Sequence, residues 1–265
     1  GYIDKPGLGR RDVNRTQTLS GRAGLRMDLG PRWTLDLLGV AQETTASDSQ
    51  YADRAGARLE SSARVQEGAR ARYGQVQTVL SGELGDVRIR SSTGFSDQNL
   101  FERYDATLPE GDPRLFVQRN DTRLIANETR AWQPLDERFG WLVGASFIDN
   151  LTRLTRSLGA EGASDPMTAT GVLNTVTEIT GYGEASVRLF KPLIAAVGVR
   201  ATHARLGGQG EDVPLALALA GSSITAERTE TAILPSASLL AQISPDARIY
   251  ARYQEGFRPG GLAVA

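Results

Sequence analysis

The sequence predicts an all-β chain, an antiparallel meander of about ten long strands that crosses a bilayer as barrel wall. Three observations carry that reading. Residues of strand character alternate with period two through most of the chain. Tight turns recur at a nearly constant interval, and between them the connections are long and polar.

The first hairpin shows the pattern. In "TLSGRAGLRMDL", Leu19, Gly21, Ala23, Leu25, Met27 and Leu29 share one face, and Arg22, Arg26 and Asp28 the other. After "GPR" comes "WTLDLLGVAQET", where Trp33, Leu35, Leu37, Gly39 and Ala41 alternate with Thr34, Asp36 and Gln42. Alternating runs joined by glycine and proline read as strand, turn, strand. A second pair turns at Gly85 and Asp86, and its return strand sets Val87, Ile89 and Phe95 against Arg88 and Arg90. Three more hairpins flank "QPLDER", "FKPL" and "SPD". The turn centres, near residues 30, 85, 136, 191 and 245, are spaced by about 51 to 55 residues, an internal repeat.

The connections between hairpins, roughly 46–68, 97–118, 156–175 and 206–224, are rich in Ser, Asp, Gly, Gln and Pro. Structureless loops of that length are uncommon in compact soluble domains. Here they alternate with tight turns, so one end of the sheet holds short turns and the other long loops, as in outer-membrane barrels. A kelch-type propeller has a similar period but four short strands per blade. A soluble sandwich needs shorter strands and one strongly apolar face.

A bilayer explains the side-chain pattern. In "ITGYGEASVRL" and "LIAAVGVRA" the set Ile179, Gly181, Gly183, Ala185, Val187, Leu189, Leu193, Ala195, Val197, Val199 and Ala201 faces lipid. Thr180, Tyr182, Glu184, Ser186, Arg188 and Arg200 face a wet interior. In "DTRLIANETR" the parity is ambiguous, with Glu128 and Arg130 assigned inward. Trp33, Trp132 and Trp141 all lie near short turns, as an interfacial aromatic girdle requires.

Composition narrows the function. A formal charge of -1 argues against nucleic acid as a partner. Lysine occurs only at Lys5 and Lys191, and the other 28 basic residues are arginines. With no cysteine and one histidine, no metal-ligand spacing emerges. His203 shares the lipid face with Val199 and Ala201, with no Asp or Glu nearby on its own strand. A catalytic imidazole needs such a neighbour. The reading therefore assigns no catalytic residue, metal or cofactor.

The segments "GYIDKPGLGRRDVNR", "ETRAWQPLDERFGWLVGASFIDN", "ITGYGEASVRLFKPLIAAVGVRATHAR" and "LPSASLLAQISPDARIYARYQEGFRPGG" resemble the barrel of TonB-dependent outer-membrane receptors. The resemblance implies ten strands of a 22-stranded barrel, with residues 1–265 forming part of the barrel domain and the amino-terminal plug absent. It implies a bacterial outer-membrane location, lipid around the barrel, and energy-coupled uptake of a siderophore or other scarce nutrient. The TonB complex would act through the plug. It also sets Arg252 and Gln254 toward the lumen, Tyr253 toward lipid, and Phe257, Arg258 and Pro259 at the mouth. The alternatives are a small omptin-like barrel protease and a passive pore or surface-binding barrel.

Loops carry recognition because they vary without disturbing the ladder. Their aromatic and arginine residues are therefore the candidate ligand contacts: Phe101, Arg103, Tyr104 and Arg114 in the loop 97–118, with Tyr51 and Arg54 in the loop before. Aromatic faces beside guanidinium groups suit flat, anionic or sugar-like ligands.

Overall fold

A computed structural model describes residues 1–54, 59–160, 167–211 and 225–260. Its strands are β1 (Thr16–Asp28), β2 (Trp33–Ala46), β3 (Gly68–Leu84), β4 (Val87–Asp105), β5 (Arg114–Gln133), β6 (Phe139–Ala160), β7 (Met167–Phe190), β8 (Leu193–Glu211), β9 (Thr225–Gln242) and β10 (Arg248–Gln254). They form one ten-stranded sheet in sequence order. Every neighbouring pair is antiparallel. The sheet is open, as a partial barrel would be. None of the described helices is long and apolar enough to cross a membrane, which says nothing of crossing by strands.

All five short connections fall where the sequence puts them. Two of them have two residues, and one of these joins Leu84 to Val87 through Gly85 and Asp86. Gly85 has φ +60°, and a two-residue hairpin turn of this kind needs a positive φ at its first position. At the same end the indole of Trp33 lies over Gly82, where an added Cβ would come within 2.2 Å of the ring.

The strands run much further toward the loop end than the alternation of the sequence indicates. β7 has 24 residues and β6 has 22. The segment expected as a loop over 97–118 is strand to Asp105 and again from Arg114. The loops expected over 156–175 and 206–224 are likewise strand through Ala160, from Met167, and through Glu211. Their remaining parts lie outside the described residues. Alternation marks a strand only where its two faces meet different solvents. Beyond the bilayer both faces meet water, and the ladder continues without the signal.

Register fixes the faces. One unbroken apolar row passes through Leu37, Gly39, Val76, Phe95 and Ile125. On the following strands the same face carries the pairs Phe147 with Ile179, Val199 with Pro235 and Ala195 with Leu239. This face is the exposed one: Ile179 is 57% exposed, while its neighbour Thr180 is fully buried. Thr180 pairs its hydroxyl with Thr202 at 2.8 Å. The register resolves β5 as well, since Ala131 shares the outward face with Val143. Glu128 and Arg130 accordingly point inward, and Tyr182 donates its hydroxyl to Glu128 at 2.5 Å. Tyr253 lies opposite Ala237 on the outward face, as expected.

Trp132 is a correction. It pairs with Arg88 and Leu142 on the inward face, beneath the Arg130 guanidinium at 5.3 Å from its ring. Trp33 and Trp141 face outward and remain girdle residues. A position near a turn places a ring at the right height, but only parity sets its face.

Two neighbouring substitutions test the assignment in the full-length protein. Val76→Arg should cost about 2–4 kcal/mol of folding stability in bilayers if it lies near the midplane. The adjacent Gln77→Arg loses only a side-chain hydrogen bond to Ser92 and should cost about 1 kcal/mol. Urea titration of membrane-inserted protein measures both.

Candidate functional site

At the loop end, residues 1–15 pack against the β2–β3 connection, which in turn ties down the end of β4 and the short loop after it. Ile3, Val13 and Val65 form a small apolar core there. Backbone pairing holds it: Asp4 N–H donates to Leu59 O, Ser61 N–H to Asp4 O, and Val13 N–H to Ile3 O. The side-chain carbonyl of Asn14 accepts from the N–H groups of Tyr2 and Ile3.

Lys5 is the centre of this cap. Its ammonium is fully buried, 2.6 Å from Asp48 and 3.0 Å from Glu67, and donates to Val65 O at 3.2 Å. Asp48 is 1% exposed. It also accepts from Ser49 N–H, while its Oδ2 has no hydrogen-bond partner among the described residues. Glu67 in turn accepts from Asp105 N–H at 3.0 Å, so one ion cluster joins three chain segments.

Asp105 closes β4 well beyond the apolar band and ties the next loop. Its carboxylate accepts from Thr107 N–H at 2.8 Å and from Arg64 N–H. Burial works to raise this carboxyl, but the hydrogen bonds from Thr107 and Arg64 outweigh it and hold it below the usual carboxylate range. The Arg64 guanidinium reaches Gly111 O at 2.6 Å.

These contacts frame a cleft of about 620 Å3 on the interior side, lined in part by Tyr51, Asp53, Arg64, Glu67, Tyr104 and Leu108. The cleft combines aromatic rings, a guanidinium and carboxylates at the barrel mouth. It can hold a small polar ligand by stacking and hydrogen bonds.

The sequence-derived candidates divide between two faces. Tyr51 and Tyr104 line the cleft, and Tyr104 stacks near Phe116 with ring centroids 6.4 Å apart. Phe101 and Arg103 belong to the opposite, outward face, in a recess with Arg70 and Arg119. Arg114 is exposed at the start of β5, and Arg54 is exposed in the β2–β3 connection. Sequence reasoning missed Lys5, Asp48 and Glu67. The one available signal was the rarity of lysine, one of two among 30 basic residues.

His203 faces outward between Ile179 and Thr231, with Nδ1 2.9 Å from the Thr231 hydroxyl. Beyond β10 the chain runs on past Pro235 to Glu230 of β9, and Arg258, Pro259 and Gly260 line an interior cleft with Asn174 and Glu178.

The model of the family described as "TonB dependent receptor-like, beta-barrel" matches residues 1–264, and the chain belongs to that family. No curated protein matches. Among solved structures, the ferric yersiniabactin uptake receptor FyuA of Yersinia pestis superposes with a TM-score of 0.76 at 15% identity, over 95% of this chain and 39% of that one. The siderophore receptor PiuA of Acinetobacter baumannii gives 0.71 at 10% identity, over 93% and 43%. The alcaligin outer-membrane receptor FauA of Bordetella pertussis gives 0.68 at 16%, over 94% and 37%. The chain thus spans about two fifths of these relatives' length. At such low identity the likeness shows the shared barrel fold. The family is one of transport receptors and not of enzymes.

Removing one member of the buried ion cluster should loosen the whole cap. Lys5→Ala leaves two carboxylates facing each other and should cost about 3–5 kcal/mol locally. Hydrogen exchange at the Asp4 and Ser61 amides should accelerate, while amides of the β6–β7 ladder keep their protection.

Proposed function

We propose that this chain is a portion of the wall of an outer-membrane receptor for a ferric siderophore or another scarce nutrient. In this reading the bacterial outer membrane surrounds the apolar face, and a plug elsewhere in the receptor couples import to the TonB complex. The observation that carries the reading is the family match over residues 1–264. The mouth supports it: the cleft beside Tyr51 and Tyr104 opens at the end where an external ligand arrives. The neighbours named as ferric or siderophore receptors point to the same substrate class.

The protease alternative loses its only candidate residue. His203 sits among lipid-facing side chains with the Thr231 hydroxyl as its hydrogen-bond partner, and among the described contacts no carboxylate pairs with its ring to make it a general base. A passive pore differs from an energised receptor in one respect that can be measured. Uptake of labelled ferric siderophore by cells carrying the full receptor should stop when a protonophore collapses the inner-membrane gradient. Uptake that continues unchanged would favour the passive pore.

Ligand contact is assigned to Tyr51 and Tyr104, with Phe101 and Arg103 on the far side of the wall. The double variant Tyr51→Ala, Tyr104→Ala should weaken ligand binding by roughly tenfold, as loss of two stacking faces implies. Barrel insertion should be unaffected, and Phe101→Ala should bind as the parent does. Equal affinity of the double variant and the parent would remove the cleft from consideration.

A further inference from the structure

Three strands meet at the mouth in one row of the interior face. Glu102 on β4 lies opposite Gln118 on β5, which lies opposite Arg156 on β6. The row is hydrogen-bonded from end to end. Glu102 accepts from the Tyr104 hydroxyl at 2.7 Å and from the Gln118 side-chain amide at 3.0 Å. Gln118 in turn accepts from Arg156 Nε at 2.9 Å. A carboxylate only accepts and a guanidinium only donates, so these two neighbours fix which way the Gln118 amide points.

The middle of the row is the informative position. Elsewhere on the wall arginine meets carboxylate directly, as Arg26 meets Asp36 at 2.6 Å inside and Arg123 meets Asp97 at 3.2 Å outside. Here a neutral amide stands between the two charges, and both Glu102 oxygens are taken by neutral donors. Among the described contacts no carboxylate touches Arg156, and Gln118 holds only its Nε. The terminal NH2 groups keep their donors, and the positive charge is not cancelled within the row. Arg156 is half-buried, where a cation held apart from the carboxylate of its own row gains most from a further anion.

The wall also bends at this height. β7 sets an extra residue, Ala169, opposite the step from Arg156 to Ser157. Bulges of this kind re-aim side chains and recur beside binding sites. The strands that carry Tyr104 and Arg156 are two spacings apart, about 10 Å. A ligand stacked on the Tyr104 ring reaches Arg156 when its negative charge lies at about that distance.

We propose that Arg156 anchors an anionic oxygen of the imported ligand, and that Gln118 is the positioning residue that keeps its charge available by holding Glu102 apart from it. The inference rests on the receptor reading and adds to it the charge of the ligand. Calorimetric binding to the full receptor in detergent tests it with two redox-inert probes. One is the trianionic gallium complex of a tricatecholate, and the other the neutral gallium complex of a cyclic trihydroxamate. The parent should bind the anionic complex at least about tenfold more tightly, as one charge-assisted hydrogen bond implies. Gln118→Glu sets a carboxylate directly against Arg156 and should erase most of that preference. The same substitution made together with Arg156→Gln should add little to the loss caused by Arg156→Gln alone, because the charge it would neutralise is already gone. An equal further loss in both backgrounds would mean plain repulsion by the new carboxylate and would overturn the positioning role. A parent that binds both complexes equally, prefers the neutral one or binds neither overturns the proposal, whether or not the variants fold. Energised uptake with no preference for the anionic complex would sink this site and leave the receptor reading standing. Charge-selective binding without protonophore-sensitive uptake would do the reverse.

Discussion

Backbone pairing is the constraint from which the rest of this structure follows. In hydrocarbon an unpaired N–H or C=O costs several kcal/mol, and water is not there to take its place. A meander of adjacent antiparallel strands satisfies each interior strand on both sides, and the ladder from β1 to β10 does so without a crossover. β1 and β10 each keep one free edge, which is consistent with a partial barrel. Once the ladder is set, parity sends every second side chain into lipid. That is why exposed Ile179 and buried Thr180 reverse the order of a soluble sheet.

At the loop end the constraint relaxes, and a different kind of stability takes over. Water can satisfy the backbone there, so the chain leaves the ladder and builds a cap from residues 1–15 and the loops after β2 and β4. Its apolar core is small. Order comes instead from Lys5 and its two carboxylates, which link three segments at one point. A buried ion pair is a poor source of net stability, but it penalises arrangements that separate its members. The cap can therefore hold Tyr104 and Tyr51 beside one cleft while its surface remains polar.

How much was legible in the sequence follows the same physics. The hairpins were readable because turn residues such as Gly85 act locally and because lipid and lumen mark opposite faces. Strand ends toward the loops were not, since water on both faces erases the alternation from Asp97 to Asp105 and from Arg114 to Arg123. Phe101 and Arg103 looked like loop residues for that reason, and register puts them on the outer wall. Trp132 was placed correctly in height and wrongly in face. Lys5 was invisible because its partners lie more than 40 residues away, and no local pattern predicts a contact of that range.

The central claim is that the apolar face meets lipid and the polar face a wet interior. These 265 residues contain no cysteine, so single cysteines carrying a spin label can be placed one at a time from residue 179 to residue 187 of β7, in a full-length background from which any cysteine outside them has been removed. In bilayers, oxygen should relax the labels at 179, 181, 183, 185 and 187 more strongly than a water-soluble nickel complex does, and the even positions should show the opposite preference. A profile without period two, or with the two sets exchanged, would contradict the account.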